Sequence, residues 1–75
     1  MKLITKRKEI LKRLIEMDKT QIQAANDMKV PRGSFNLLIN NKSQSFKTAH
    51  IVTKYLGGRF EDYFDIEFNE QKQEA

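Results

Sequence analysis

Residues 20–42 read TQIQAANDMKVPRGSFNLLINNK, and the spacing of their punctuation leaves room only for two short helices around a tight turn. Thr20 is a good helix N-cap. With Gln23 three residues on, it forms the capping-box pattern, in which each side chain satisfies a free amide of the first turn. Ala24, Ala25 and Met28 then face inward, and the small residue at 25 lets a second helix cross closely. Lys29 and Val30 make the turn, with Val30 plugging the gap between the helices. Pro31 fits the first turn of the next helix, because it has no amide to leave unpaired there. Phe35 and Leu38 lie three apart on its buried face. Asn40, Asn41 and Lys42 end it, asparagine being tolerated in the left-handed geometry of a helix stop.

The flanking sequence reads as more helix. A first helix is expected over about residues 5–17, with Ile10, Leu14 and Met17 on one side and Leu11 and Ile15 widening the stripe. Lys6, Lys8, Lys12, Arg13 and Glu16 face water. Ser45 can cap a fourth helix that turns Phe46, Ala49, Val52 and Leu56 inward and stops at Gly57 and Gly58. A short fifth helix over residues 60–64 adds aromatics to the core. These spacings predict a compact all-α domain over residues 1–68 and a frayed, flexible polar tail over 69–75.

Composition excludes several functions. At 75 residues the chain makes one small domain, near the lower limit for burying its own core. It has no cysteine, hence neither disulfides nor thiolate metal sites. No apolar run approaches a membrane span, and no signal segment opens the chain, so the cytoplasm is the default location. Charge is uneven. Residues 1–42 hold ten Lys or Arg against four Asp or Glu, a balance of +6, and residues 43–75 hold four against six, a balance of −2. A basic first half suits a polyanion such as nucleic acid, or makes a merely solvated lysine-rich surface.

The joint spacing of Thr20-Gln21, Ala25, Val30, Phe35, Leu38, Asn40 and Leu56-Gly57 resembles the helix-turn-helix domain of the phage repressor and Cro family, also called XRE-type. The resemblance covers residues 10–64. It implies a five-helix, lambda-repressor-like fold whose third helix reads DNA in the major groove, although a fold by itself does not fix a function. By position it implies that Gln21 bonds a phosphate at the start of the second helix. It sets Arg32, Gly33, Asn36 and Leu37 against base edges, with Arg32 forked onto guanine and Asn36 on adenine. Ser34, Asn40 and Lys42 fall on the sugar-phosphate backbone. Each has a plainer alternative: solvated charge for Arg32 and Lys42, and helix-end capping for Gln21 and Asn40.

The chain departs from the family pattern at several positions. An Arg–Glu pair common in the family is replaced by Leu14 and Ile39, as expected if packed hydrocarbon stands in for an ion pair, which is commonly neutral or stabilising. Ala24 is smaller and Phe35 larger than usual, a compensation in volume. Lys29 stands where glycine is common, which predicts a strained turn. Arg59 stands in place of a serine or aspartate cap and predicts a loose start to the fifth helix. Gly33 brings no side chain to a groove and weakens its helix by about 1 kcal/mol. Leu37 can meet only a thymine methyl or another protein. Direct base reading is therefore thin, and DNA shape or a protein partner has to supply the rest.

Residues 64–68, FDIEF, alternate apolar and acidic. An extended segment there puts Phe64, Ile66 and Phe68 on one face and Asp65 and Glu67 on the other. Such a strand either pairs with a second copy, as in some Cro proteins, or folds back so that Ile66 and Phe68 cover their own core. His50 is the only histidine and has no cysteine companion, so no metal site is expected. Glu61, Asp62 and Asp65 fall on an exposed helix end, with Glu61 and Asp62 in a first turn where negative charge is favourable. No nucleophile–base set, phosphate loop or cofactor motif is present, so a non-enzyme is expected. The leading expectation is a homodimeric regulator that occupies a double-stranded DNA operator. The alternatives are an antirepressor-like protein that binds a repressor through Leu37, and an antitoxin paired with a toxin.

Overall fold

The computed structural model describes residues 2–68, so the tail expected over 69–75 lies outside the described residues. The element order is β1 (Lys2–Thr5), α1 (Arg7–Glu16), α2 (Gln21–Met28), α3 (Arg32–Ile39), α4 (Phe46–Leu56), α5 (Phe60–Tyr63) and β2 (Phe64–Glu67). The helical expectation holds for all five helices. The helical class holds and the C-terminal segment is extended as its alternation suggests; the unforeseen element is β1, which pairs antiparallel with β2 in a two-stranded sheet, with Leu3 opposite Ile66 and Thr5 opposite Phe64. The first helix accordingly starts at Arg7, and residue 5 belongs to a strand. The fifth helix ends one residue early, because Phe64 turns extended (φ −139°, ψ 156°) to enter β2.

Helix starts follow the sequence. The Thr20 hydroxyl accepts the Gln23 amide at 3.1 Å while the Gln23 side chain accepts the Thr20 amide at 2.9 Å, so the capping box is complete. Ser45 caps α4 through the Thr48 amide at 3.2 Å. Arg59 brings no cap of its own, but the Asp62 carboxylate accepts the Arg59 amide at 2.9 Å and closes the first turn of α5. That start is tighter than the arginine implied.

The helix stops share one device. After α1, α2 and α3 the chain passes through a left-handed residue: Asp18 (φ 57°), Lys29 (φ 59°) and Asn41 (φ 61°). Each turn makes the same two bonds. The Lys19, Val30 and Lys42 amides reach back to the carbonyls of Leu14, Ala25 and Leu37, and the Asp18, Lys29 and Asn41 amides to those of Ile15, Asn26 and Leu38. This is the Schellman closure, which glycine serves best and asparagine tolerates. Lys29 is the costliest occupant, because it carries a Cβ and lacks the short polar side chain that eases Asp18 and Asn41 into the left-handed region. Lys29→Gly should stabilise the fold by about 0.5–1 kcal/mol, since relief of about 1–2 kcal/mol of left-handed strain exceeds the added freedom of the unfolded chain. Thermal melting should move up by about 3–6 °C. A melt at or below wild type would contradict this, and Lys29→Ala, which keeps the Cβ, serves as the control.

The core is the apolar stripe of each element turned to one centre: Leu3, Ile10, Leu14, Ala24, Ala25, Val30, Phe35, Leu38, Ile39, Ala49, Val52, Leu56, Tyr63 and Phe64. Leu14 and Ile39 are both buried in it, in keeping with apolar residues taking the place of an ion pair. Ala24 and Phe35 share the same cluster. Ile15 corrects the expectation for α1, being 77% exposed. At 3.6 residues per turn it stands about 140° from Ile10, beyond the stripe. Arg13 corrects it in the other direction: its Nε donates to the Leu56 carbonyl at 2.9 Å and ties α1 to the end of α4. Tyr55 on α4 donates to the Asp27 carboxylate of α2 at 2.5 Å, and Lys19 pairs with the same carboxylate at 3.3 Å. The Tyr55 bond first and Lys19 second hold Asp27 below the usual carboxylate range, and the carboxylate pushes the Tyr55 hydroxyl up to about 12.

Candidate nucleic-acid interface

The turn at Lys29–Val30–Pro31 brings the N-terminal ends of α2 and α3 side by side. Between them lies a shallow groove lined by Gln21, Ile22, Arg32, Phe35 and Asn36. Phe35 is buried and forms its floor, while Arg32 and Asn36 are exposed on its rim. Three residues singled out for DNA contact, Gln21, Arg32 and Asn36, therefore converge on one concave surface. Thr20 satisfies only the third amide of α2. The first two, on Gln21 and Ile22, have no intrahelical acceptor by the geometry of a helix end.

The helical period divides the remaining α3 residues. With Phe35, Leu38 and Ile39 buried, the outward crown is centred on Gly33, Leu37 and Asn40. Arg32 and Asn36 flank it on the side of the groove. Ser34 flanks it on the other side, about 160° from Asn36, and is not part of the groove. Nothing lies within 4 Å of where a Gly33 Cβ would stand, so neither packing nor a positive φ calls for glycine there. Leu37 is 48% exposed on the crown. Ile22, unnoticed in the sequence reading, is 50% exposed on the groove wall. Its signal was available: an apolar residue one position after Gln21, off the inward stripe of Ala24, Ala25 and Met28.

The polar side chains differ in how free they are. Asn40 donates its Nδ2 to Asn36 Oδ1, so two expected contact residues are bonded to each other along the helix. Asn36 keeps its amide hydrogens and one acceptor position for another partner. Lys42 is exposed just past the helix, its own amide held by Leu37. Among the described residues the ion pairs are Arg13–Glu16 and Lys19–Asp27, which leaves Arg32 and Lys42 unpaired.

The C-terminal candidates sit elsewhere. Phe64 is buried against β1, so the FDIEF segment folds back on its own domain. Ile66 is half-buried opposite Leu3, while Phe68, just past β2, is 61% exposed and does not cover the core. On the outer face Lys2 stands opposite Glu67. The His50 ring lies 4.9 Å from the Phe60 ring, in an aromatic contact. Among the described residues no helix is long and apolar enough to cross a membrane. No protein-family model matches the chain, and neither a curated protein nor a solved structure does.

Proposed function

We propose that this protein is a sequence-specific DNA-binding regulator of the phage repressor and Cro type, with a lambda-repressor-like arrangement of α1–α5 and α3 as the reading helix. In this reading it occupies an operator in the cytoplasm as a homodimer, two half-sites adding the affinity that one short helix lacks. The observation that carries the reading is the convergence of Gln21, Arg32 and Asn36 on one groove, with the Arg32 guanidinium unpaired among the described residues. Gln21 holds a phosphate at the head of α2, Arg32 and Asn36 reach base edges, and Lys42 follows the sugar-phosphate backbone past the end of α3. Thin direct readout at Gly33 and Leu37 is compatible with recognition partly through DNA shape.

Salt dependence tests the reading. Binding to a duplex selected from a random-sequence pool should weaken linearly in a log–log plot against salt, each neutralised phosphate adding about 0.9 to the slope. Lys42→Ala should lower that slope by about one contact while leaving sequence preference intact. Gln21→Ala, a neutral change, should weaken all sequences alike at an unchanged slope. Failure to bind any duplex at low salt sinks the proposal. A second reading rests on Leu37 and Ile22, both about half exposed on this surface: a module that binds a repressor or a toxin through apolar contact. It predicts that Leu37→Asp abolishes a protein complex and leaves folding unchanged.

A further inference from the structure

The loop after α3 does more than end a helix. In an antiparallel pair alternate residues turn their backbone groups to opposite edges. Lys2 and Ile4 face β2, and the Lys6 amide continues that side by donating to the Tyr63 carbonyl at 2.8 Å. Leu3 and Thr5 face the other edge, where two side-chain amides replace a third strand. Gln44 Oε1 accepts the Leu3 amide at 2.6 Å. Asn41 spans Thr5 with both ends, its Oδ1 accepting the Thr5 amide at 2.7 Å and its Nδ2 donating to the Thr5 carbonyl at 3.2 Å. The buried Thr5 hydroxyl then donates to the Leu38 carbonyl in the last turn of α3 at 2.8 Å. These bonds close a ring from α3 through Asn41 to β1 and back to α3.

Two observations make the ring a mount for α3. Glycine would serve the φ of 61° at position 41 better than asparagine, but only an amide side chain can also bridge both backbone groups of Thr5. The other end of α3 has no such fastening, because Pro31 provides no side-chain cap to its first turn. The polar attachment of α3 is therefore concentrated at its C-terminal end, seven residues beyond Arg32.

We propose that Asn41 is a positioning residue, whose clamp on Thr5 sets the angle at which α3 presents Arg32 and Asn36 beside Gln21. The proposal rests on α3 being the DNA-reading helix. Asn41→Gly is the decisive variant, since it keeps the left-handed turn and removes both bonds to Thr5. Residual dipolar couplings of the free protein read the orientation of α3 against α2 and α4. A duplex selected with wild type and a scrambled duplex of the same length read preference. The expected result is a reoriented α3, a retained helical circular dichroism spectrum, and a preference ratio lower by about tenfold, the scale of one lost base contact. A Thr5→Val variant loses only the hydroxyl bond and should move both readouts the same way by less. It carries the test if Asn41→Gly fails to fold. An α3 with unchanged couplings overturns the proposal, as does a reoriented α3 with full preference. A reoriented α3 in a protein whose wild type prefers no duplex upholds the mount and removes the DNA reading instead.

Discussion

Phe35→Ala is expected to lose about 3–5 kcal/mol of folding stability, the range for truncating a buried aromatic. Phe35 is 1% exposed and, with Phe64, is one of the two largest fully buried side chains among the described residues. A small domain has about 0.05–0.15 kcal/mol per residue in total, so the substitution removes a large share of what holds this one together. Urea melts should show a midpoint moved far down at an unchanged slope, since the surface exposed on unfolding stays nearly the same. The same side chain floors the groove between α2 and α3, so folding and the candidate interface fail together. A midpoint within a few tenths molar of wild type would mean that the cluster around Phe35 does not carry the fold.

Arg32→Ala should act in the opposite way, sparing the fold and weakening the proposed base recognition. The side chain is exposed and pairs with no acid among the described residues, so its loss should leave thermal melting unchanged. A bidentate contact to guanine is worth about 1–3 kcal/mol of discrimination, which corresponds to roughly 5–150-fold in affinity. Measured on a panel of single-base variants of the selected duplex, Arg32→Ala should flatten the preference at one base pair and keep it elsewhere. Equal binding of wild type and Arg32→Ala across the panel would remove Arg32 from the readers. Because Phe35→Ala and Arg32→Ala differ in melting behaviour, the pair separates a folding defect from a recognition defect.

The residues that were legible were those whose signal is local. A capping box spans four residues, and Thr20 with Gln23 stated it in full; Ser45 and Gly57 were equally readable. The inward faces of α2, α3 and α4 followed from a period that the chemistry of a helix enforces over two or three turns. What escaped was long-range. Four residues at β1 are too few for alternation to show, and Thr5, buried there, reads as the start of a helix because nothing near it in sequence reveals its partner at Phe64. Asn41 read correctly as a helix stop, but its side chain serves β1, 36 residues away. Within the site, the bond from Asn40 to Asn36 depends on the rotamers of two side chains four residues apart, which residue type alone does not reveal.

The pairing of β1 with β2 also bears on how the molecule folds. Leu3 meets Ile66, 63 positions further along the chain, whereas α2, its turn and α3 lie within 20 residues of one another. Loop-closure entropy has to be overcome before so distant a contact returns anything, so the local helices have the kinetic advantage. During synthesis the N-terminal strand waits, with Leu3 and Thr5 unsheltered, until the last strand has been made. The sheet behind the α3 mount is thus completed last, after the helix that the mount holds.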